Sequence, residues 1–420
     1  MVTMSKTICP YPFLHSHIHP HGERSLCCWS DPVPELQNDD FWNNDYMKTV
    51  RQKMLDGEQV SECHRCYLQE STGSKSMRQD ELENYAPEEF TKECNDDGSM
   101  NIVPEWFDYK TKTCNLQCQM CGPTHSSKHV KLWKDVWNFP VEQIPVQSKP
   151  VEQKRADEII KSIDDRVCKR IYWAGGEPTM SNIHWKTMKH LLEVHKEDPE
   201  YAESIYVDYN TNMTHFEYSG INIADFLEPI QPTIRASIDG VGDVFEYIRD
   251  GGNWDEVEFN LRYYINKLNK KRQFTVDTIL SAPVLMSLEN YLDFFGQFDI
   301  LLRNHRLHDF TKDAFFKQMS VGFLDLRLYP IPIVKRLVEK GKDLMSDSKI
   351  RGYERSLQIL DSYLTERIER DEFFSDPELL GHIRYMTREQ REPHNKSDHT
   401  IDKIMEKYDT ECYEWFKGFK

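Results

Sequence analysis

No apolar run in this chain approaches the roughly 20 residues that a membrane span needs. The N-terminal MVTMSKTICP has no apolar core of the kind a secretory signal carries, so the expectation is a cytoplasmic protein with reduced thiols. Basic residues are in deficit: 53 Lys and Arg face 70 Asp and Glu, leaving a net charge of −17. That balance argues against a broad phosphate-gripping surface and hence against a nucleic-acid partner. Lys110, Lys112 and Lys128 could form a local basic groove but read as a solvated face. Internal repeats and low-complexity tracts are missing as well, so the 420 residues fall to two or three ordinary domains.

What the chain does have is cysteine, eleven in all, at positions 9, 27, 28, 63, 66, 94, 114, 118, 121, 168 and 412. An odd count in a reducing compartment points to metal ligation rather than a disulfide frame. Histidines accompany the first group: CPYPFLHSHIHPHGERSLCCWS, residues 9–30, holds His15, His17, His19 and His21 in alternation, as a strand would set them on one face. Exposed strand histidines or packing around a metal group is the reading taken for them, because no carboxylate set sits at metal-site spacing nearby in sequence.

Three regions follow from the pattern of residues. Residues 1–100 are turn-rich, with one helix expected in DDFWNNDYMKTVRQKMLDG. There Phe41, Met47, Val50, Met54 and Leu55 recur at helical spacing and Gly57 supplies the stop. The segment ECNDDGSMNIVPE (93–105) reads as a linker. From 101 to 325, the short β-rich runs WFDYKTKT, RIYWAGGE, IYVDYNTN, TIRASIDG and FTVDTILS alternate with the helical SNIHWKTMKHLLEVHKE and NWDEVEFNLRYYINKLNKK. Such alternation predicts βαβ units, a parallel sheet and an open or closed barrel, with chemistry at the C-terminal strand ends. Residues 326–420 read as charged helices forming a cap or an interaction surface.

The sharpest local signal is TCNLQCQMCGPT, where Cys114, Cys118 and Cys121 follow a Cys-x3-Cys-x2-Cys spacing directly after an expected strand. Three thiolates on one tight loop can hold three irons of a [4Fe–4S] cube and leave the fourth iron open. A three-cysteine zinc site completed by His125 has the same ingredients. The later strands carry further features in order: WAGGEP, NTNMT, RASIDG and then EYIRDGGNWDEV. With these, the chain resembles the radical S-adenosylmethionine (SAM) superfamily over about residues 103–325, and the resemblance implies a partial (β/α)6 barrel. It further implies that Met120 stands as the hydrophobic residue before the last cysteine, and that Gly175, Gly176 and Glu177 meet the amino group of the SAM methionine moiety. Asn212 would contact the ribose, although Met213 stands where the family often has glycine. Ser237 would touch SAM, Asp239 would be an active-site carboxylate, and Arg249 and Gly251 would match the following segment. Asp277, on a later strand, is a second possible general base.

Near the N-terminus, Cys9 is followed after twelve residues by Gly22 and after four more by Cys27, while SECHRCYLQESTGSKS adds Cys63 and Cys66. This resembles the SPASM/twitch auxiliary-cluster domain of radical SAM enzymes, of the single-cluster twitch kind, here preceding the barrel rather than following it. The resemblance implies a second, fully ligated [4Fe–4S] cluster, with Cys28 an alternative to Cys27. A four-cysteine zinc ribbon remains open as the structural alternative. The implied activity is reductive cleavage of SAM to a 5′-deoxyadenosyl radical that abstracts hydrogen from a peptide or protein, drawing electrons from a donor such as flavodoxin or ferredoxin. The alternatives are a dehydrogenase or epimerase acting on a small molecule, and a non-catalytic, zinc-stabilised binding protein.

Overall fold

The structure is a computed structural model that describes residues 7–71, 75–140, 149–307, 322–348 and 350–418. The first six residues of the N-terminal stretch weighed above as a signal lie outside the described residues. Among the described residues there are ten strands: β1 (His15–Ile18), β2 (Arg24–Ser25), β3 (Trp106–Thr111), β4 (Arg170–Gly175), β5 (Tyr206–Thr211), β6 (Glu217–Tyr218), β7 (Ile221–Asn222), β8 (Thr233–Ser237), β9 (Thr275–Ile279) and β10 (Leu301–His305). Eight of them form one mostly parallel sheet in the order β10-β9-β8-β5-β4-β3-β1-β2, and β6 with β7 makes a small hairpin. All five strand runs expected from the sequence are strands here. The sixth strand of the barrel set, β10, comes from DILLRNHRLH, which the sequence reading passed over.

Two compact units divide the chain, one of residues 1–112 and 145–209, the other of 113–144 and 210–420. In the first, β3, β4 and β5 pair in parallel register, Asp108 opposite Tyr172 and Tyr172 opposite Asp208. Buried Phe107, Ile171, Trp173 and Val207 fill the helix-facing side, and the helix Asn182–Glu197 lays Ile183, Trp185, Met188, Leu191 and Val194 in the core. The N-terminal segment contributes to this sheet: β1 runs parallel to β3, with His15 opposite Trp106 and His17 opposite Asp108.

Arg51 ties the N-terminal segment together. Its guanidinium is fully buried, donates to the carbonyls of Pro12 and Gly98 at 2.7 and 3.1 Å, and stacks over the Trp42 ring. It sits on the expected helix, which runs Asp45–Asp56, capped by the Asn44 side chain and stopped by Gly57 in the left-handed region. Two details differ from the periodic reading. Phe41 lies in a preceding 3-10 turn, and Leu55 is exposed, because the burial stripe runs through Met47, Val50, Arg51 and Met54. The stretch 93–105 is no free linker either: Met100 is buried, and the carbonyls of Met100 and Ile102 accept from Asn43 and Trp42.

In the second unit, β8, β9 and β10 pair in parallel, Ser237 opposite Asp277 and Asp277 opposite Arg303. The C-terminal helices Ile331–Asp347 and Glu354–Glu369 bury Val334, Leu337, Val338, Leu360 and Tyr363. No helix among the described residues is long and apolar enough to cross a membrane. A titrating group sits in this C-terminal part. Burial pushes the Glu392 carboxyl up to about 7, against the opposing pull of the Ile401 amide that donates to it at 2.7 Å. The folded state therefore holds this proton more tightly than the unfolded chain does. Its stabilisation is complete below about pH 4.5 and is lost as the pH rises through 7. Glu392→Gln keeps the neutral form, so its melting temperature should change less between pH 5 and pH 8 than that of the wild type, as read by thermal unfolding across that range.

Candidate functional site

Immediately after β3, the chain makes the tight loop that carries Cys114, Cys118 and Cys121. All three thiols pack into one small cluster around the buried Leu116. Burial pushes the Cys118 thiol up to about 12, partly offset by the Arg249 guanidinium, whose NH1 lies 4.0 Å from Sγ. Cys121 is shifted the same way by burial and then by its two neighbouring thiols. The Cys114 sulfur receives the Asn212 side-chain amide at 4.0 Å. Metal binding here must displace thiol protons, and the nearby guanidinium favours the resulting negative charge.

The loop is held from beneath by the segment after Ile248, which was read above as an Arg-x-Gly match. The amides of Gln117 and Gln119 donate to the carbonyls of Asp250 and Ile248, both at 2.8 Å. Arg249 pairs with Asp239 at 2.6 Å, and the second Asp239 oxygen accepts the Ile279 amide at 2.7 Å. Asp239 is fully buried with both oxygens engaged, which suits an anchor for Arg249 better than the general base expected from sequence. Asp277 is placed differently. It lies beside Arg303 and His305, 3.7 and 3.5 Å away, and its side chain is only partly buried.

Sequence reasoning missed the support that the C-terminal region gives this loop. Arg391 donates to the Gln117 carbonyl at 2.5 Å and sits 3.6 Å from Asp250, Asn395 accepts from Gln119 at 3.1 Å, and Asp250 caps the amides of Lys396 and Ser397. These partners lie about 270 residues along the chain from the cysteines, so no local pattern announces them. Arg391→Met leaves the buried Asp250 carboxylate without its cation, a loss of about 3–5 kcal/mol for a buried pair broken on one side. Its melting temperature and its retained iron should both fall. The double change Arg391→Met with Asp250→Asn should recover part of the stability loss, which denaturant melts of all four proteins would check.

The other predicted residues fall as follows. Asn212 is buried and locked by Asn115 at 3.0 Å and by Thr214, whose amide and hydroxyl both donate to it. Met213 has φ of 61°, the left-handed conformation that glycine adopts without strain. Asn260 holds the turn by donating to the Met213 carbonyl at 2.7 Å. Met120 and Ser237 are half-buried. In the first unit, Gly175 closes β4 at φ 103°, and its own backbone passes so close to Thr111 that a Cβ would lie 2.2 Å from the Thr111 carbonyl oxygen. The Gly176 amide donates to that same carbonyl at 2.6 Å. Glu177 is fully buried, with Oε1 accepting from the Thr179 amide and hydroxyl.

Also in the first unit, Cys9, Cys27, Cys63 and Cys66 line one cavity of about 20 Å³ together with Tyr11, Trp29, Met77 and Arg78. Burial raises the Cys9, Cys27 and Cys63 thiols, Cys63 to about 12, with the neighbouring cysteines adding to it. Cys28 does not line the cavity; its sulfur rests 3.7 Å from that of Met77. Zinc held by four thiolates at 2.3 Å would draw their sulfurs to about 3.8 Å of one another. Among the described residues, no group of three metal-ligating atoms within 4.8 Å of one another includes a cysteine. Neither cysteine set therefore brings three thiols within 4.8 Å of one another. His125 is exposed and bonded to Thr124 at 2.8 Å rather than turned to the cysteines.

Residues 109–284 match the family model described as the radical SAM superfamily. That match covers less than half of the chain, and it makes this segment similar to a radical SAM domain. It begins inside β3, takes in the cysteine loop and ends after β9, so it contains the three thiols, Gly175–Glu177, Asn212, Ser237, Asp239 and Asp277. A domain of that family would call for a [4Fe–4S] cluster and SAM, and the thiols of Cys114, Cys118 and Cys121, gathered on one loop, are of the type that holds such a cluster. A comparison with curated protein sequences finds no match. Among solved structures, native anSMEcpe with bound AdoMet is similar at 16% identity and TM-score 0.39, over 59% of this chain and 63% of that one. The Streptococcus suis protein SuiB bound to precursor peptide SuiA is similar at 13% identity and TM-score 0.38, over 73% of this chain and 64% of that one. The chain thus spans less than two thirds of the length of either.

Proposed function

We propose that this protein is a radical SAM enzyme that abstracts a hydrogen atom from a peptide or protein substrate and holds a second, auxiliary [4Fe–4S] cluster. The observation that carries the reading is the pair of cysteine sets, buried or half-buried: three thiols within the segment similar to radical SAM domains, and four around one cavity in the N-terminal segment. When bound, the cluster at the three-thiol loop supplies one-electron cleavage of SAM and, with it, hydrogen-atom abstraction. Cys114, Cys118 and Cys121 hold the cluster. Arg249, anchored by Asp239, balances its charge, and the Asp250–Arg391 contacts keep the loop rigid. Gly175, Gly176 and Glu177 serve the SAM methionine moiety, with Asn212 and Ser237 assisting. Asp277, facing His305, is the group placed to take a proton from the substrate.

Cys9, Cys27, Cys63 and Cys66 saturate the auxiliary cluster, which leaves it for electron transfer or substrate positioning, with an external reductant such as flavodoxin or ferredoxin. The charged row of Arg235, Asp277, Arg303 and His305 on β8–β10 favours a second reading, a small charged substrate processed by a dehydrogenase or epimerase. Cys63→Ala with Cys66→Ala tests the auxiliary assignment. Anaerobically reconstituted protein should lose about half of its iron, four of about eight atoms, and unchanged iron would sink the second cluster. Incubation with peptide pools against small carboxylates, read by consumption under reducing conditions with SAM, separates the two substrate readings.

A further inference from the structure

The histidines of the opening stretch converge with a carboxylate that lies 91 residues beyond His17 in the chain. Parallel pairing of β1 with β3 sets His17 directly opposite Asp108, and alternation puts His15 on the same face. His15 Nε2 lies 3.4 Å and His17 Nδ1 3.7 Å from the same oxygen, Asp108 Oδ2. His15 is 4% and His17 0% exposed. None of their four ring nitrogens has a hydrogen-bond partner of ordinary geometry. A buried polar atom without a partner costs about 1–3 kcal/mol, and each such group calls for an explanation, an ion among them.

The spacing fits that explanation. Nitrogen and oxygen donors at 2.0–2.2 Å from one tetrahedral ion stand about 3.3–3.6 Å apart. Among the described residues, His15, His17 and Asp108 are the one group of three such donors within 4.8 Å of one another. Beside the two histidines lies a cavity of about 10 Å³, lined by His15, His17, Arg24 and Ser25 together with Leu26, Leu36, Phe41 and Met47 but not by Asp108, which is room for about one water-sized ligand. The Arg24 charge is taken up by Glu158 and Ser16, while Lys110, on the face of Asp108, opposes a bound cation. His19, next along the face, is engaged with Ser25 at 2.9 Å, so it leaves the coordination to the other three.

We propose that His15, His17 and Asp108 form a mononuclear site for a divalent first-row transition ion, with Zn²⁺ the reference occupant and at least one position open to water. Two imidazoles and one carboxylate suit zinc and ferrous iron and exclude the soft-thiolate chemistry of the cysteine sets. The site is independent of the function proposed above, since it uses none of those cysteines and needs no SAM.

The test uses the full chain with its iron–sulfur centres reconstituted, exposed to Zn²⁺ and then freed of excess metal by gel filtration. The readout is total metal minus acid-labile sulfide, because clusters contribute iron and sulfide equally. The expected result is one equivalent of zinc per chain, lost in His17→Ala and in Asp108→Asn. To guard against a variant that merely misfolds, zinc-edge X-ray absorption is measured on the wild-type protein. It should show only nitrogen and oxygen neighbours near 2.0–2.1 Å. Absence of bound zinc in the wild type, zinc retained by both variants, or a sulfur shell near 2.3 Å would each overturn the site. Absence of SAM cleavage by wild-type protein that does bind this zinc would count against the radical SAM reading alone.

Discussion

Simultaneous alanine substitution of Cys114, Cys118 and Cys121 is expected to abolish SAM cleavage and to remove about four of eight reconstituted irons, leaving the auxiliary cluster intact. The expectation follows from geometry as well as spacing. The three thiols pack into one cluster with Leu116, and no other cysteine joins it. The N-terminal four form their own cavity with its own aromatic and arginine lining. Thiolate donors in one set cannot compensate for loss of the other. Iron and 5′-deoxyadenosine assays on the triple variant check this, with the Cys63/Cys66 variant as the mirror image: half of the iron lost by each, and by different halves.

Gly175→Ala should be strongly destabilising. At φ 103° any Cβ is strained, a cost of about 1–2 kcal/mol. Here the new atom would also sit 2.2 Å from the Thr111 carbonyl oxygen and 2.6 Å from its amide nitrogen. Both are backbone atoms of the paired strand, so β3 and β4 must separate at the end that carries Gly176 and Glu177, adding about 1–3 kcal/mol of overpacking. The sum is a large share of the 5–15 kcal/mol that holds a typical domain. Gly220→Ala supplies the control: its φ of 77° is also positive, but nothing lies within 4 Å of the added carbon, so it should lose only about 1 kcal/mol. Urea melts of the two variants should differ accordingly, and equal losses would mean that the strand contact is not the reason for glycine at 175.

The central region was legible because its signals are local. Each β-rich run carried its own motif at its C-terminal end, and the helices between them had clear periodicity, so five strands and the cysteine loop could be read in order. Two kinds of feature were not legible. One is pairing across long sequence distances: nothing near His15 and His17 reveals that Asp108 will arrive beside them, since that depends on β1 joining the sheet next to β3. The histidines were therefore set aside for want of a nearby carboxylate, and the structure corrects this by burying them against one. Support of the cysteine loop by Arg391 and Asn395 is the same kind of feature. The other is competition for a side chain. Asp239 had the right motif for an active-site carboxylate, but Arg249 and the Ile279 amide occupy both of its oxygens. Met213 itself adopts the left-handed turn that glycine takes without strain.

Electron paramagnetic resonance of the anaerobically reduced wild-type protein, recorded with and without SAM, addresses the account most directly. It predicts two reduced [4Fe–4S] signals, of which the one belonging to Cys114, Cys118 and Cys121 shifts when SAM is added while the one belonging to Cys9, Cys27, Cys63 and Cys66 does not. A single signal, two signals that both ignore SAM, or zinc in place of iron at either set would contradict it.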